Sequence, residues 1–268
     1  YRTIASTETS TITRSVSLYR ARTYVVAITQ ALAQDFLQVS ASTGTSVSVV
    51  IDNLVFTLAS TGSSSITHSL LKVTHEGTGS STVDLKGVTF KSSAGTTQMR
   101  MSAPVIDGRG GKVILRGVAF DYVTVDGCPL LRVNLGSNMF VMETGQRDTT
   151  QSAKNRFSSI IRSSGKGAVL EESLSSSSLL AMSHAEFISC STTSSGGGGV
   201  IYLTIGSDVV TSSSHAPLSL SDVTFTPSAS FTSASCAIMF AFTDVAYLKT
   251  GHLGKCEHLS RGVWSRGY

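Results

Sequence analysis

Five stretches of the chain align without gaps and share one order of apolar and polar positions: Val49 to Phe56, Val83 to Phe90, Val113 to Phe120, Leu180 to Phe187 and Leu218 to Phe225. In each, apolar residues hold positions one, three, six and eight, and position eight is always Phe. Steps of two, from one to three and from six to eight, are the period of half-buried strands. The step from three to six is odd. A straight strand would throw the second pair onto the opposite face, so both pairs face one core only if the chain bends between them. Position five, where that bend must fall, is Asn53, Gly87, Gly117, His184 or Asp222. Residues of these kinds tolerate positive φ best.

Phe157 fills the long gap in the series, which then runs Phe56, Phe90, Phe120, Phe157, Phe187 and Phe225 at nearly regular intervals. Its upstream match is poor, with Lys154 at position five and Thr150 at position one. This copy is either degenerate or distorted by an insertion around Glu143 to Ser152. After each Phe a further apolar segment follows: Leu70 to Val73, Val105-Ile106, Leu130 to Val133, Val169-Leu170, Val200 to Leu203 and Ala237 to Phe240. These read as a third strand, with Ser/Thr/Gly tracts such as Ser191 to Gly199 and Gly79 to Thr82 as surface turns.

Three short strands and a corner need about 22 residues, fewer than separate any two successive phenylalanines, so each period leaves spare residues for loops on one side. The pattern predicts an all-β fold, a single-stranded right-handed parallel β-helix of about six rungs, with the Phe column as an interior ladder. Repeats occupy 48–243. Residues 1–47 form a cap or a partial first rung, and 244–268 an irregular tail or truncated rung. Val25, Ile28, Leu32, Phe36 and Val39 fall at helical spacing, so Tyr24 to Val39 is either an amphipathic capping helix or a strand.

Composition supports strands over helices: 41% of residues are hydrophobic and only 14% charged, with Ser, Thr and Gly abundant. The net charge of +4 is scattered, which argues against a nucleic-acid partner. No apolar run approaches the ~20 residues of a spanning helix. The chain begins at Tyr1 without Met or a signal segment, and reads as a fragment or a processed piece. Cys128, Cys190, Cys236 and Cys256 are too far apart for a zinc knuckle or a small disulfide framework and read as buried or free thiols.

Candidate chemistry is sparse. Asp107-Gly108-Arg109-Gly110-Gly111-Lys112 brings acid and base together, but between apolar flanks it reads as a turn joining two strands. No helix pattern follows it, so it makes no phosphate cradle. Asp121 and Asp126 either share one side of a coil or lie in a solvated loop. His252, Cys256 and His258, with Glu257, have metal-like proximity in the irregular tail and read as chance neighbours. Tyr122 and Tyr202 are candidate exposed aromatics for stacking on a sugar. No Gly-x-Ser-x-Gly elbow and no Asn-x-Ser/Thr site occurs. No residue is assigned a catalytic, cofactor-binding or metal-binding role, and no cofactor is expected.

Phe187-Ile188-Ser189-Cys190, followed by Gly196 to Gly199 and Val200-Ile201-Tyr202-Leu203, resembles the paired Phe and Gly-Gly-Ala-Ile motifs of polymorphic outer membrane protein repeats. It is also similar to the pectin-lyase-like β-helix repeats of protist surface proteins. The glycine run occurs in one copy only; the broader β-helix resemblance covers about Ser48 to Phe242. It implies an extracellular or cell-surface protein, structural or adhesive rather than enzymatic, and nothing about a ligand; the expected partner is carbohydrate or a host or cell-surface protein. The rival it implies is a polysaccharide-active enzyme of the pectate lyase or glycoside hydrolase kind, or a carbohydrate-binding module without turnover. The Asp-Asp and Arg-Ile-Lys pairs of polygalacturonases are absent.

Overall fold

The structure, a computed structural model, describes residues 2–6, 12–13, 24–28, 32–58, 65–92, 99–136, 139–147, 151–175, 177–193, 199–205, 218–226 and 238–242. All regular elements among them are strands, nearly all paired in parallel. A first sheet stacks eight: Arg2–Ser6, Leu37–Ala41, Leu71–His75, Ile106–Gly108, Leu131–Val133, Leu170–Leu174, Ile201–Ile205 and Ile238–Phe242. A second stacks Ile12–Thr13, Ser46–Asp52, Ser80–Lys86, Lys112–Arg116 and Phe140–Glu143. The main path of the third runs Tyr24–Ile28, Leu54–Leu58, Thr89–Ser92, Ala119–Val125, Asn155–Arg162, Leu180–Ile188 and Leu218–Thr226. Neighbours within each sheet come from successive passes of the chain, a topology compatible with a parallel β-solenoid.

The columns read from sequence are in register. Val49, Val83 and Val113 pair in line, as do Ile51, Leu85 and Leu115. Phe56, Phe90, Phe120, Phe157, Phe187 and Phe225 form one file. Their rings stack with centroids 4.8–5.1 Å apart and planes within 13° of parallel, the spacing that strand pairing imposes. The first five are almost wholly buried.

The bend occurs where the phase step requires it. Asn53, Gly87, Gly117, His184 and Asp222 all have positive φ, between 51° and 64°. In the last two copies a single nine-residue strand passes through the corner, at His184 and at Asp222. The Phe157 copy departs because of an insertion. Its inward pair on the second sheet is Phe140 and Met142, in register with Val113 and Leu115. The chain from Phe140 to Phe157 is more than twice as long as the matching stretch from Val113 to Phe120. The extra chain is an antiparallel hairpin, Gly145–Arg147 with Gln151–Ala153.

That hairpin lies over the corner glycines. A Cβ on Gly87 would stand 2.5 Å from the Gln146 carbonyl oxygen, and one on Gly117 would stand 3.2 Å from Gly145 Cα. Asn155, at the sixth motif position where other copies are apolar, is fully buried. Its side chain accepts from Val118 N–H at 3.0 Å and donates to the carbonyls of Leu115 (3.2 Å) and Glu143 (3.0 Å). It thereby satisfies the backbone groups that the insertion separates.

A second corner follows the phenylalanine. Tyr122, Ser159 and Ser189, each two residues past a Phe, also have positive φ, between 54° and 58°.

The helical reading of Tyr24 to Val39 is corrected. Tyr24–Ile28 is a strand in register with Leu54–Leu58, and Leu37–Ala41 belongs to the first sheet. Val25, on the expected buried face, is 62% exposed. The edge of Leu54–Leu58 supplies backbone partners along Tyr24–Ile28, and the β-branched Val25, Val26 and Ile28 suit a pleated surface. Two supposed turn tracts are also partly strand, at Ser80 to Thr82 and at Ser191–Thr192. The 243–268 segment lies outside the described residues.

Candidate functional site

Most charges that stood out in the sequence are neutralised by partners from neighbouring coils. Asp107 faces Arg132 at 3.7 Å, and Asp121 accepts from Arg156 at 2.8 Å. Asp121 is therefore an ion-paired strand residue and not part of a solvated loop. Asp126 meets Arg100 at 3.4 Å and Ser163 Oγ at 2.5 Å. Arg109 and Gly110 form the turn between Ile106–Gly108 and Lys112–Arg116, as the apolar flanks suggested.

Tyr122 is 36% exposed, whereas Tyr202 is 8% exposed and is no open platform. The Tyr202 hydroxyl accepts from Lys166 Nζ at 2.9 Å, and the same ammonium lies 4.5 Å from the ring centroid. The candidates His252, Cys256, Glu257 and His258 lie outside the described residues, as does Cys236. Cys128 and Cys190 are buried free thiols, and burial pushes Cys190 up to about 12.

Two charged clusters carry no sequence motif. Arg162, only 3% exposed, donates to the carbonyls of Ser164 (2.8 Å), Gly167 (3.1 Å) and Gly127 (3.2 Å), to that of Lys166, and to Glu171 at 2.5 Å. It pins the 163–167 turn. At the corner column, Asp222 accepts from Lys154 Nζ and faces His184 Nδ1 at 2.8 Å, and these hydrogen bonds hold its carboxyl below its ordinary value.

The most distinctive polar site is a cleft in the first sheet. Leu131–Val133 and Leu170–Leu174 share a single register pair, Leu131 with Leu170. Leu170–Leu174 pairs with Ile201–Ile205 along all five residues. The ladder thus opens past Leu131, leaving a cleft of about 340 Å³ between Val133 to Gly136 and Glu172 to Ser178, with Arg109 at its side.

Glu172 stands at an inward position. Two residues on from Leu71, Leu131 and Ile201 come Val73, Val133 and Leu203, none more than 2% exposed. Two residues on from Leu170 comes Glu172. Its side chain is 11% exposed, and Arg109, at 57%, reaches both carboxylate oxygens at 3.3 Å. Burial raises its pKa, while Arg109 and the Val133 backbone hold the rise back. The substitution was visible in the sequence as a carboxylate within an apolar column, but only alignment of the third-strand segments exposes it.

Polar groups surround this pair. Asn134 Oδ1 accepts from Gly136 N–H at 2.8 Å, and its amide nitrogen lies 3.5 Å from the Arg109 carbonyl. Ser175, Ser177 and Ser178 form a hydroxyl cluster with Oγ separations of 2.9 and 3.1 Å. Among the described residues no three His, Cys, Asp or Glu side chains are grouped to hold a metal ion, and no helix is long and apolar enough to cross a membrane. No protein-family model, curated protein or solved structure matches the chain.

Proposed function

We propose that this chain is a length of right-handed parallel β-helix serving as a structural or adhesive rod outside the cell or at its surface, without substrate turnover. The observation that carries this reading is the unbroken phenylalanine stack. A file of interlocked aromatic rings makes each coil depend on its neighbours and favours a stiff, elongated body.

The composition of the chain between strands supports it. Segments 59–64, 93–98, 194–198 and 227–237, which follow third-sheet strands in the chain, are rich in Ser, Thr and Gly. Tracts of this composition suit a scaffold that presents polar chain to a carbohydrate or a cell-surface protein. An antibody raised against the chain should label intact, unpermeabilised source cells, and surface proteolysis should remove the signal. Labelling only after permeabilisation would refute the surface reading.

A second reading, a polysaccharide-active enzyme, draws on Glu172. A carboxyl raised by burial beside a cleft has the character of a general acid. Release of new reducing ends from neutral polysaccharides would establish it, provided Glu172→Gln abolished the release.

A further inference from the structure

We infer that the Arg109–Glu172 cleft is a binding site for a compact, neutral, polyhydroxylated ligand, a polyol or a single sugar residue. The inference deepens the adhesive reading and rests on it for its biological meaning; the binding chemistry stands on the cleft itself.

A carboxylate in the interior column is costly unless partnered, and an apolar residue there would continue the column of Val73, Val133 and Leu203. The stack instead opens its ladder at this point and places Glu172 where one cation balances it. Such departures from local rules collect at functional sites.

The ligand class follows from the lining. Glu172 offers acceptor oxygens, Arg109 exposed donors, and the Asn134 amide and the Ser173, Ser175 and Ser177 hydroxyls both kinds. A sugar edge presents hydroxyls that donate and accept in alternation, and a carboxylate beside a guanidinium matches a pair of adjacent hydroxyls. Arg109 and Glu172 cancel in charge, so the site favours neither a phosphate nor a uronate. Its volume, about 340 Å³, is at the small end of the range for ligand pockets, as suits one sugar ring and not an oligosaccharide.

Titration of the ¹⁵N-labelled full chain with methyl α-glucopyranoside, methyl α-galactopyranoside, methyl α-mannopyranoside and glycerol, read by amide shifts, tests the inference. At least one should shift Asn134, Gly136 and Ser173 to Ser178 in a saturable way. Glu172→Gln and Arg109→Ala should each raise its Kd about tenfold or more, as losing a charge-assisted hydrogen bond predicts, and Lys91→Ala should leave it unchanged. If Glu172→Gln loses its β-type far-UV spectrum, Arg109→Ala decides, because that side chain is mostly exposed.

Saturation of the cleft by glycerol as well as by the pyranosides supports a general polyol site; saturation by a pyranoside alone supports a sugar site. No saturable shift at the cleft, or a response to inorganic phosphate or galacturonate alone, overturns the inference. Failure here with intact-cell antibody labelling preserved leaves the surface reading standing. Saturable binding with labelling absent removes the surface reading and keeps the site.

Discussion

Gly87 is the sharpest test of how the corners are built, because two separate constraints meet there. Its φ is +58°, and a Cβ would stand 2.5 Å from the Gln146 carbonyl oxygen and 2.9 Å from Asn53 Oδ1. Left-handed backbone costs a residue with a Cβ roughly 1–2 kcal/mol. Displacing a backbone carbonyl of the covering hairpin adds strain of about 1–3 kcal/mol. Gly87→Ala should therefore destabilise by about 2–5 kcal/mol. The matched control is Gly44→Ala, where φ is +76° and nothing lies within 4 Å of the added methyl; only the conformational cost applies, about 1 kcal/mol. Urea unfolding followed by far-UV circular dichroism reads both. With a slope of about 3 kcal/mol/M, Gly87→Ala should lower the midpoint by roughly 1 M and Gly44→Ala by about a third of that. Equal shifts would refute the close approach of the hairpin, and an unchanged Gly87→Ala midpoint would refute the positive-φ corner itself.

Asn155→Leu keeps the volume but abandons the Val118 N–H and the Leu115 and Glu143 carbonyls; at about 1 kcal/mol or more for each buried orphan, urea unfolding should show a loss of at least about 3 kcal/mol. Asp222 should stabilise the last coil in a pH-dependent way. Its folded pKa is depressed by Lys154 and His184, so its contribution is present above the unfolded value, near 4, and fades as pH falls through the folded value. The stability difference from Asp222→Asn, measured in urea titrations, should therefore be full at neutral pH and shrink in strong acid; a constant difference would remove Asp222 as its source. Cys190, pushed up to about 12 and 2% exposed, should resist iodoacetamide at pH 8 in the folded chain and react after urea unfolding. Peptide mass spectrometry reads the alkylation, and labelling of folded protein at Cys190 would show the interior to be open.

The columns and the first corner were legible in the order of residues. Inward facing is a matter of period, and period is local: the phenylalanines, the Val49 and Ile51 files and the bend at Asn53, Gly87, Gly117, His184 and Asp222 need no knowledge of neighbouring coils. The second corner was equally local, since Phe120 to Val123 and Phe157 to Ile160 repeat the odd step. Its bend residues, Tyr122, Ser159 and Ser189, share no obvious type, so composition did not mark it. The helical spacing of Val25 to Val39 misled because periodicity alone ignores the strand edge that Leu54–Leu58 presents.

Which side chains meet between coils depends on how the coils stack. Partners such as Arg156 with Asp121, or Arg109 with Glu172, lie 35 and 63 residues apart. Stacking brings them together through register, and an insertion such as the Gly145–Ala153 hairpin changes the sequence offset without changing the register. For the same reason Lys154, His184 and Asp222 read as corner positions in the sequence and as one ion cluster in the fold. Glu172 stands between the two cases: its column was legible in the chain, while the opened ladder, the cation beside it and the cleft exist only once the coils are stacked.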